Sequence, residues 1–257
     1  MTSNGDWPEE AVNFVQAIAD TKMILSHRYA EWMLAGPGLE DDITGAGAAQ
    51  DEIGHVRQLY RLLEDQGRER DWLEGEREPQ EYYNARTLDK NFDTWIEFIA
   101  TVGPTDRATW YLLDAITHDD FKGLVEKIGQ DEYFHLEYHD GRFETLIEEE
   151  AEELQDTLEG SIPKILEFIG PSDYDEENDP LVQAGFTDRP IADIREAFLD
   201  RYDSMFEGTP VSLKNIDRTK PRLEEWDENR RRVEEGAISE SVVESLRGTK
   251  NKEFAME

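Results

Sequence analysis

Apolar residues recur at three- and four-residue spacing along most of the chain, and no segment alternates apolar and polar residues as a half-buried strand would. This pattern predicts a chain that is helical almost throughout. We expect four long helices, over about Pro8–Ala35, Leu39–Gln66, Asn91–Thr117 and Asp119–Leu158. The third is expected to be interrupted at Gly103-Pro104, because proline removes a helical hydrogen bond.

The connections between these helices predict a fold class. Tight turns join the first helix to the second and the third to the fourth, whereas a long polar segment separates the second from the third. Four helices with one long crossover are typical of a ferritin-like four-helix bundle, so we predict an all-α fold of that kind. Shorter helices are predicted over residues 162–169, 191–206, 223–235 and 239–247, and an irregular surface loop over residues 171–190.

We therefore expect the bundle to occupy residues 1–170. Residues 171–257 are predicted to form a helical C-terminal extension that packs on the same domain and ends in an acidic tail. The absence of a Gly/Ser-rich linker favours one domain over two.

The net charge of the chain excludes some classes of binding partner. Aspartate and glutamate number 61 against 27 lysines and arginines, which gives a net charge of −34 spread along the whole chain. Such a surface repels nucleic acid and anionic lipid, so we expect neither as a partner. We interpret the chain as a cytoplasmic protein of a halophile, because salt screens the self-repulsion; an ordinary acidic protein is the alternative.

Other compositional features exclude particular chemistries. The chain has no cysteine, which rules out disulfides and thiolate ligands. No apolar stretch approaches the ~18 residues of a membrane span. The run Arg230-Arg231-Arg232 is a local exception to the acidic surface, and we expect it to lie on a solvated helix face, with a partner contact as the alternative.

One short repeat carries candidate chemistry. The segment Gln50–His55 (QDEIGH) recurs 80 residues later as Gln130–His135 (QDEYFH), once on the second predicted helix and once on the fourth. In each copy a glutamate and a histidine three residues apart share one helix face. Ferritin-like di-metal proteins use two such pairs, with two further carboxylates from the other helices. The repeat predicts a metal site with Glu52, His55, Glu132 and His135 as ligands; the alternative is two core histidines and two solvated glutamates.

The aspartate before each glutamate allows two interpretations. Asp51 and Asp131 could accept the free imidazole N–H of a histidine on the facing helix, or they could be solvated acids of an acid-rich chain. His118 and His139 lack a Glu-x-x-His partner, and we interpret both as structural or surface residues.

Hairpin counting locates a carboxylate on the third helix. If the third and fourth helices fold about His118-Asp119, Asp106 lies level with Glu132, whereas Glu97 lies about 13 Å further along at 1.5 Å per residue. Asp106 is therefore the candidate ligand. The alternative is an acid that stabilises the start of a helix after the Gly103-Pro104 interruption.

The same count on the first helix gives a lysine. Folding about Pro37 puts Lys22 level with Glu52, and His27 lies near that level. The nearest glutamate, Glu31, is nine residues away, about 13 Å, and could reach the site only if the second helix starts late. An ammonium at this level would replace the charge of one metal ion. Lys22 and His27 are therefore candidate site-modifying residues. The sequence leaves open whether the site holds two metal ions, one or none.

At these residues the chain resembles the A and C subunits of the bacterial phenylacetyl-CoA epoxidase, a ferritin-like di-iron family. The resemblance covers about Asp20 to Ile169, with weaker similarity to about Arg247. The two Glu-x-x-His segments and Asp106 look like the metal ligands of the catalytic A subunit. Leu25–Trp32 and Gly36–Glu40 look more like the C subunit, which is a structural partner without an iron site.

The resemblance implies a function for each subunit type. An A-type chain would hold two iron ions, activate O2 and insert one oxygen atom across a ring bond of an aromatic acyl-CoA in phenylacetate catabolism. It would depend on other epoxidase subunits and a reductase, in a homo- or hetero-oligomer. A C-type chain would be a non-catalytic scaffold with Lys22 in the site, and a different ferritin-like di-metal protein is the third alternative. Manganese suits the same ligands as iron.

Overall fold

The bundle is built from helices that follow the predicted periodicity. The computed structural model describes residues 7–233 and 235–247, and this part of the chain contains nine α-helices and no β-strand. They are α1 (Glu9–Trp32), α2 (Leu39–Asp65), α3 (Arg70–Glu74), α4 (Trp95–Asp114), α5 (Leu124–Glu149), α6 (Ala151–Ile169), α7 (Pro180–Gln183), α8 (Ile191–Met205) and α9 (Glu240–Leu246). The all-α, ferritin-like prediction is confirmed. None of the described helices combines the length and the apolar character needed to cross a membrane.

Helix α1 lies at the centre of the molecule. Nearly every residue from Ala11 to Tyr29 is buried, polar ones included, so α1 is covered on all sides rather than along one stripe. It packs along α2 and also contacts α4, and α4 lies against α5 and α6. Lys22 therefore projects from a helix whose surroundings exclude water.

A buried ion pair fixes the long crossover between α2 and α4 to α1. Both terminal nitrogens of Arg77 donate to the Asp20 carboxylate at 2.7 Å, and one also donates to the Tyr60 hydroxyl at 3.0 Å. Arg77 and Asp20 are fully buried. The hydrogen bonds of Arg77 and Asp20 offset the desolvation of the two charges. This ion pair therefore attaches the crossover to α1 at Asp20, two residues before Lys22.

Helix α4 is continuous, so the predicted interruption at Gly103-Pro104 is wrong. Proline leaves the carbonyl four residues earlier, on Ala100, without its usual helical donor. The Ser161 hydroxyl on α6 donates to that carbonyl at 3.4 Å. A Cβ at Gly103 would lie 2.9 Å from the ring of His139, so the glycine permits α5 to approach α4 closely.

The fourth predicted helix is two helices. The chain breaks at Glu150, where φ is −141° and ψ is 39°, and α6 then continues to Ile169 and absorbs the separate helix predicted at 162–169. Helix α5 starts later than predicted, after Gly123, whose φ of +79° is a conformation that glycine tolerates. No glycine or proline marks the break at Glu150, so the sequence pattern predicts one continuous helix there.

The C-terminal half contains one further correction. The helix predicted over residues 223–235 is only a short 3₁₀ turn, Leu223–Glu225, and the described residues 226–233 after it are irregular. The predicted helices at 191–206 and 239–247 are present as α8 and α9. The loop predicted over residues 171–190 contains the short helix α7.

Arg231 and Arg232 are buried, Arg230 is partly exposed, and none of the three lies in a helix, so the predicted place of the arginine run on a solvated helix face is wrong. Arg231 donates from Nε to the Phe168 carbonyl at 2.7 Å and from a terminal nitrogen to the Ile169 carbonyl. These carbonyls belong to the last turn of α6, where carbonyl groups have no N–H donor from the same helix. Arg232 pairs with Asp89 at 2.9 Å. The run therefore attaches the C-terminal segment to α6 and to the crossover.

Candidate metal centre

Four helices each contribute one charged side chain to a common point inside the bundle. Lys22 comes from α1, Glu52 from α2, Asp106 from α4 and Glu132 from α5, and all four are 0 % exposed. Each lies on the inward face that the 3.6-residue period of its helix defines. The structure thus brings Asp106 together with both glutamates of the repeated segment.

The Lys22 ammonium lies among the carboxylates. Its Nζ is 3.0 and 3.1 Å from the two oxygens of Glu52, 2.5 Å from Oε1 of Glu132 and 3.8 Å from Oδ1 of Asp106. The contacts with Glu52 and Glu132 are charge-assisted hydrogen bonds in a site without water contact, where they are strongest, and the contact with Asp106 is an ion pair. The ammonium bridges α1 to α2 and α5.

Both histidines of the repeat direct Nδ1 toward this cluster. Nδ1 of His55 lies 3.5 Å from Oε1 of Glu132, and Nδ1 of His135 lies 3.5 Å from Oε1 of Glu52 and 3.6 Å from Oδ2 of Asp106. Neither Nδ1 has a hydrogen-bond partner among the described residues. The interpretation as plain core histidines therefore leaves two buried polar atoms unexplained.

The paired aspartates reach across to the facing helix. Nε2 of His55 lies 3.3 Å from Oδ2 of Asp131, and Nε2 of His135 lies 3.5 Å from Oδ2 of Asp51. A carboxylate at Nε2 orients the imidazole so that Nδ1 faces inward. Asp131 forms a hydrogen bond with His55 and also accepts one from Lys127 at 2.6 Å. Asp51 lies near His135 without a hydrogen bond, because Nε2 of His135 has no hydrogen-bond partner among the described residues.

Burial and the neighbouring charges shift the pKa values of the groups in the cluster. Burial alone would lower the pKa of Lys22, but the surrounding carboxylates outweigh burial and hold its pKa well above the usual range. Lys22 in turn lowers the pKa of Glu52 against burial, and His135 and Lys22 do the same for the pKa of Asp106. Burial and the charge of Asp106 raise the pKa of Glu132. Asp106 and Glu52 raise the pKa of His135, against burial, to about 11.

Glu31 and His27 lie outside the cluster. Oε2 of Glu31 accepts a hydrogen bond from Arg28 at 2.8 Å, and Oε1 lies 3.3 Å from Nε2 of His27. Burial opposes ionisation of Glu31, but these two contacts lower its pKa to about 2. Helix α2 begins at Leu39, so the late start that Glu31 would need does not occur. Glu31 lies nine residues after Lys22 on α1, which is about 13 Å along the helix. Glu31 is therefore too far away to join the cluster.

Sequence reasoning missed two side chains beside Asp106. The Tyr29 hydroxyl donates to Oδ2 of Asp106 at 2.8 Å and lies 2.6 Å from Nε2 of His139. A hydroxyl has one proton, so His139 donates its Nε2–H to the Tyr29 oxygen. Burial lowers the pKa of His139 to about 4 and keeps it neutral. Tyr29 is seven residues after Lys22, and His139 is seven after Glu132, so helix periodicity could have found both.

The donor set can hold a metal ion, but Lys22 competes for it. Ligand atoms of Glu52, Asp106, Glu132 and His135 lie within 4.8 Å of one another, and carboxylate with imidazole suits iron or manganese. The ammonium contacts the same oxygen atoms. A two-ion centre of this fold uses four carboxylates, whereas the described helices bring three to this point, with Lys22 in the place of the fourth. As arranged, the residues do not fit two iron ions.

Comparison with known proteins places this site in a family. A search of curated proteins found no match. A family model described as phenylacetic acid catabolic protein matches residues 2–242, which include every helix of the bundle and all the residues of the cluster. The chain therefore belongs to the phenylacetic acid catabolic protein family.

Proposed function

We propose that this chain is the non-catalytic, structural subunit of a phenylacetyl-CoA epoxidase-type complex in phenylacetate catabolism. The observation that carries the proposal is the Lys22 ammonium within 3.1 Å of Glu52 and Glu132 at the centre of the bundle. In this account a homologous catalytic subunit holds the iron. That subunit takes O2, the aromatic acyl-CoA and electrons from a reductase.

The physical argument is that Lys22 performs the structural task of a metal and none of its chemistry. Three buried carboxyl groups would repel one another without a cation, and desolvated charges need a partner to be tolerated. The ammonium supplies that charge while covalently attached to α1, so it cannot dissociate or change oxidation state. The bundle is thereby stabilised independently of iron, as suits a scaffold.

The test uses metal content and reconstituted activity together. We expect far less than one iron per chain after anaerobic purification with ferrous iron, and the same value for Glu132→Gln. We also expect epoxidation of phenylacetyl-CoA only when a catalytic homologue and a reductase are added. In that mixture Glu132→Gln in this chain should leave turnover unchanged, because glutamine still accepts the hydrogen bond from Lys22.

A second candidate is a di-iron oxygenase subunit, favoured by the inward Nδ1 atoms of His55 and His135. Without a metal ion these two atoms have no hydrogen-bond partner among the described residues. That function requires about two irons per chain, lost in Glu132→Gln together with turnover. Lys22→Glu separates the two functions further. If Lys22 excludes the metal, the substitution supplies a fourth carboxylate and should raise bound iron; if Lys22 already lies beside iron, it should not.

A further inference from the structure

Aromatic rings of α1 and α4 connect the buried cluster to the surface. The ring of Tyr29 lies 6.0 Å from the ring of Phe98, measured between centroids. Phe98 also stacks on Trp32 at 5.3 Å and contacts Trp95 at 5.2 Å, and the two tryptophans lie 6.0 Å apart. Tyr29 is buried, whereas both tryptophans are partly exposed. We call these four residues the aromatic row.

Helix periodicity assembles the row from two helices. Tyr29 and Trp32 are three residues apart on α1, as are Trp95 and Phe98 on α4, so each pair shares one helix face. The two faces meet because α1 contacts α4. Apolar packing alone accounts for a phenylalanine in this place. It does not account for a phenol at the inner end of the row and indoles at the outer end.

The inner end of the row is a phenol whose proton already points at an acceptor. The Tyr29 hydroxyl donates to Oδ2 of Asp106 at 2.8 Å and accepts from His139 at 2.6 Å. Both contacts are buried, where hydrogen bonds are electrostatically stronger than in water. A phenol that loses an electron becomes a strong acid, so its oxidation requires a place for the proton. The hydrogen bond to Asp106 supplies that place without any water molecule.

The outer end of the row lies at the turn between α1 and α2. A Cβ at Gly36, in that turn, would lie 3.3 Å from the ring of Trp95. Indole and phenol rings give up one electron far more readily than a benzene ring does, and electrons pass easily between rings that are nearly in contact. Trp95, Trp32 and Tyr29 are therefore successive oxidisable sites, and Phe98 fills the space between them.

We propose that the aromatic row is an electron-transfer path through which Tyr29 reduces an oxygen-centred radical that reaches the surface beside Trp95. The radical takes one electron from the indole of Trp95, which is replaced from Trp32 and finally from Tyr29. The phenol proton moves to Oδ2 of Asp106. The oxidant is thereby reduced by one electron, and a neutral tyrosyl radical remains inside the bundle, away from water.

The path is independent of the function proposed above. A partner that activates O2, as in that function, is a source of oxygen-centred radicals. The row itself does not require Lys22 to exclude a metal ion, so this inference stands or fails separately from the structural-subunit proposal.

The test introduces one oxidising equivalent at a chosen position of the full chain. The chain has no cysteine, so Asp93→Cys provides a single attachment site for a ruthenium photosensitiser, at an exposed residue two positions before Trp95. Flash oxidation of the ruthenium complex starts the transfer, and transient absorption and electron paramagnetic resonance follow the radicals. We expect a tryptophan radical that decays while a long-lived tyrosyl radical appears.

Variants of the labelled chain assign the radicals to residues. Trp95→Phe should slow the appearance of the tyrosyl radical by at least about tenfold, because a benzene ring does not supply the electron. Trp95→Tyr should recover the rate, which a purely structural role of Trp95 would not require. Tyr29→Phe should remove the long-lived signal. Trp110→Phe alters another partly exposed tryptophan of α4, outside the row, and is the matched control that should change neither rate nor signal.

Two results would overturn the proposal. One is a long-lived tyrosyl radical that persists in Tyr29→Phe, because the radical would then lie on another tyrosine. The other is a tyrosyl radical that forms as fast in Trp95→Phe as in the labelled parent, with circular dichroism showing both chains folded.

Discussion

Replacing Lys22 by methionine removes the cation from the carboxylate cluster while keeping a side chain of similar length. Glu52, Asp106 and Glu132 then lie within 4.8 Å of one another with only His135 to offset their charge. Methionine cannot donate the three hydrogen bonds that Lys22 makes at 2.5, 3.0 and 3.1 Å. The variant therefore isolates what the ammonium contributes to folding.

The expected loss is large because every group involved is fully buried. Removing one partner of a buried ion pair costs about 3–5 kcal/mol, since the remaining charge stays desolvated. For a chain of this size each kcal/mol lowers Tm by about 2–4 °C, so we expect a decrease of about 10 °C or more. Thermal and urea denaturation followed by circular dichroism would measure it.

Lys127 provides the matched control. It donates to Asp131 at 2.6 Å, close to the cluster, but its side chain is 63 % exposed. Exposed ion pairs contribute about 0–1 kcal/mol, so Lys127→Met should change the free energy of unfolding little. A Lys22→Met protein within about 1 kcal/mol of the wild type at pH 7 would refute the reasoning, because desolvated carboxyl groups cannot lose their cation at so small a cost.

The deficit of Lys22→Met should also depend on pH. The raised pKa of Lys22 means that its contribution in the wild type is complete below about pH 10.5 and constant from pH 5 to 8. Without Lys22 the folded-state pKa values of the carboxyl groups rise above their unfolded values, which opposes folding increasingly above pH 4.5. We therefore expect a larger deficit at pH 7 than at pH 5, and a deficit independent of pH would contradict this assignment.

Three smaller effects follow from other contacts. Gly103→Ala should destabilise the protein by about 1–3 kcal/mol, because its Cβ would lie 2.9 Å from the ring of His139. The control Gly141→Ala, whose Cβ would meet no described atom, should stabilise the protein by about 0.5–1 kcal/mol. Equal shifts of the melting temperature in the two variants would refute this. The pKa of Glu31, lowered to about 2, gives stability present above pH 4.5 and lost toward pH 2. Its side chain is 28 % exposed, so Glu31→Gln should cost about 1–2 kcal/mol at pH 7 and less at pH 3 by urea titration. Arg231→Met should cost about 2–3 kcal/mol in the same assay, because buried carbonyls at the end of α6 lose their donors; a cost below about 0.5 kcal/mol would indicate a surface residue instead.

The residues of the cluster could be found from the sequence because helix periodicity and hairpin length are local properties. The turn between α1 and α2 is short, so counting residues about Pro37 puts Lys22 level with Glu52, and their side chains meet at 3.0 Å. Counting about His118-Asp119 places Asp106 level with Glu132 in the same way. The i, i+3 repeat needs no knowledge of distant contacts.

The features that the sequence did not reveal depend on contacts between distant segments. The continuity of α4 through Pro104 relies on a hydroxyl from α6, and the break at Glu150 has no local signal. Arg231 is polar and next to other arginines, so composition predicts exposure, yet the carbonyls at the end of α6 bury it. Tertiary contacts override local preference at these positions.

The central claim is that an ammonium, and not a metal ion, lies at the centre of this bundle. The most direct measurement is anomalous diffraction at the iron and manganese edges from wild-type crystals grown anaerobically with excess Fe(II) and Mn(II). The account expects no anomalous peak in the cluster and Lys22 density within hydrogen-bond distance of Glu52 and Glu132. One or two strong peaks bonded to these glutamates, with Lys22 displaced, would contradict it.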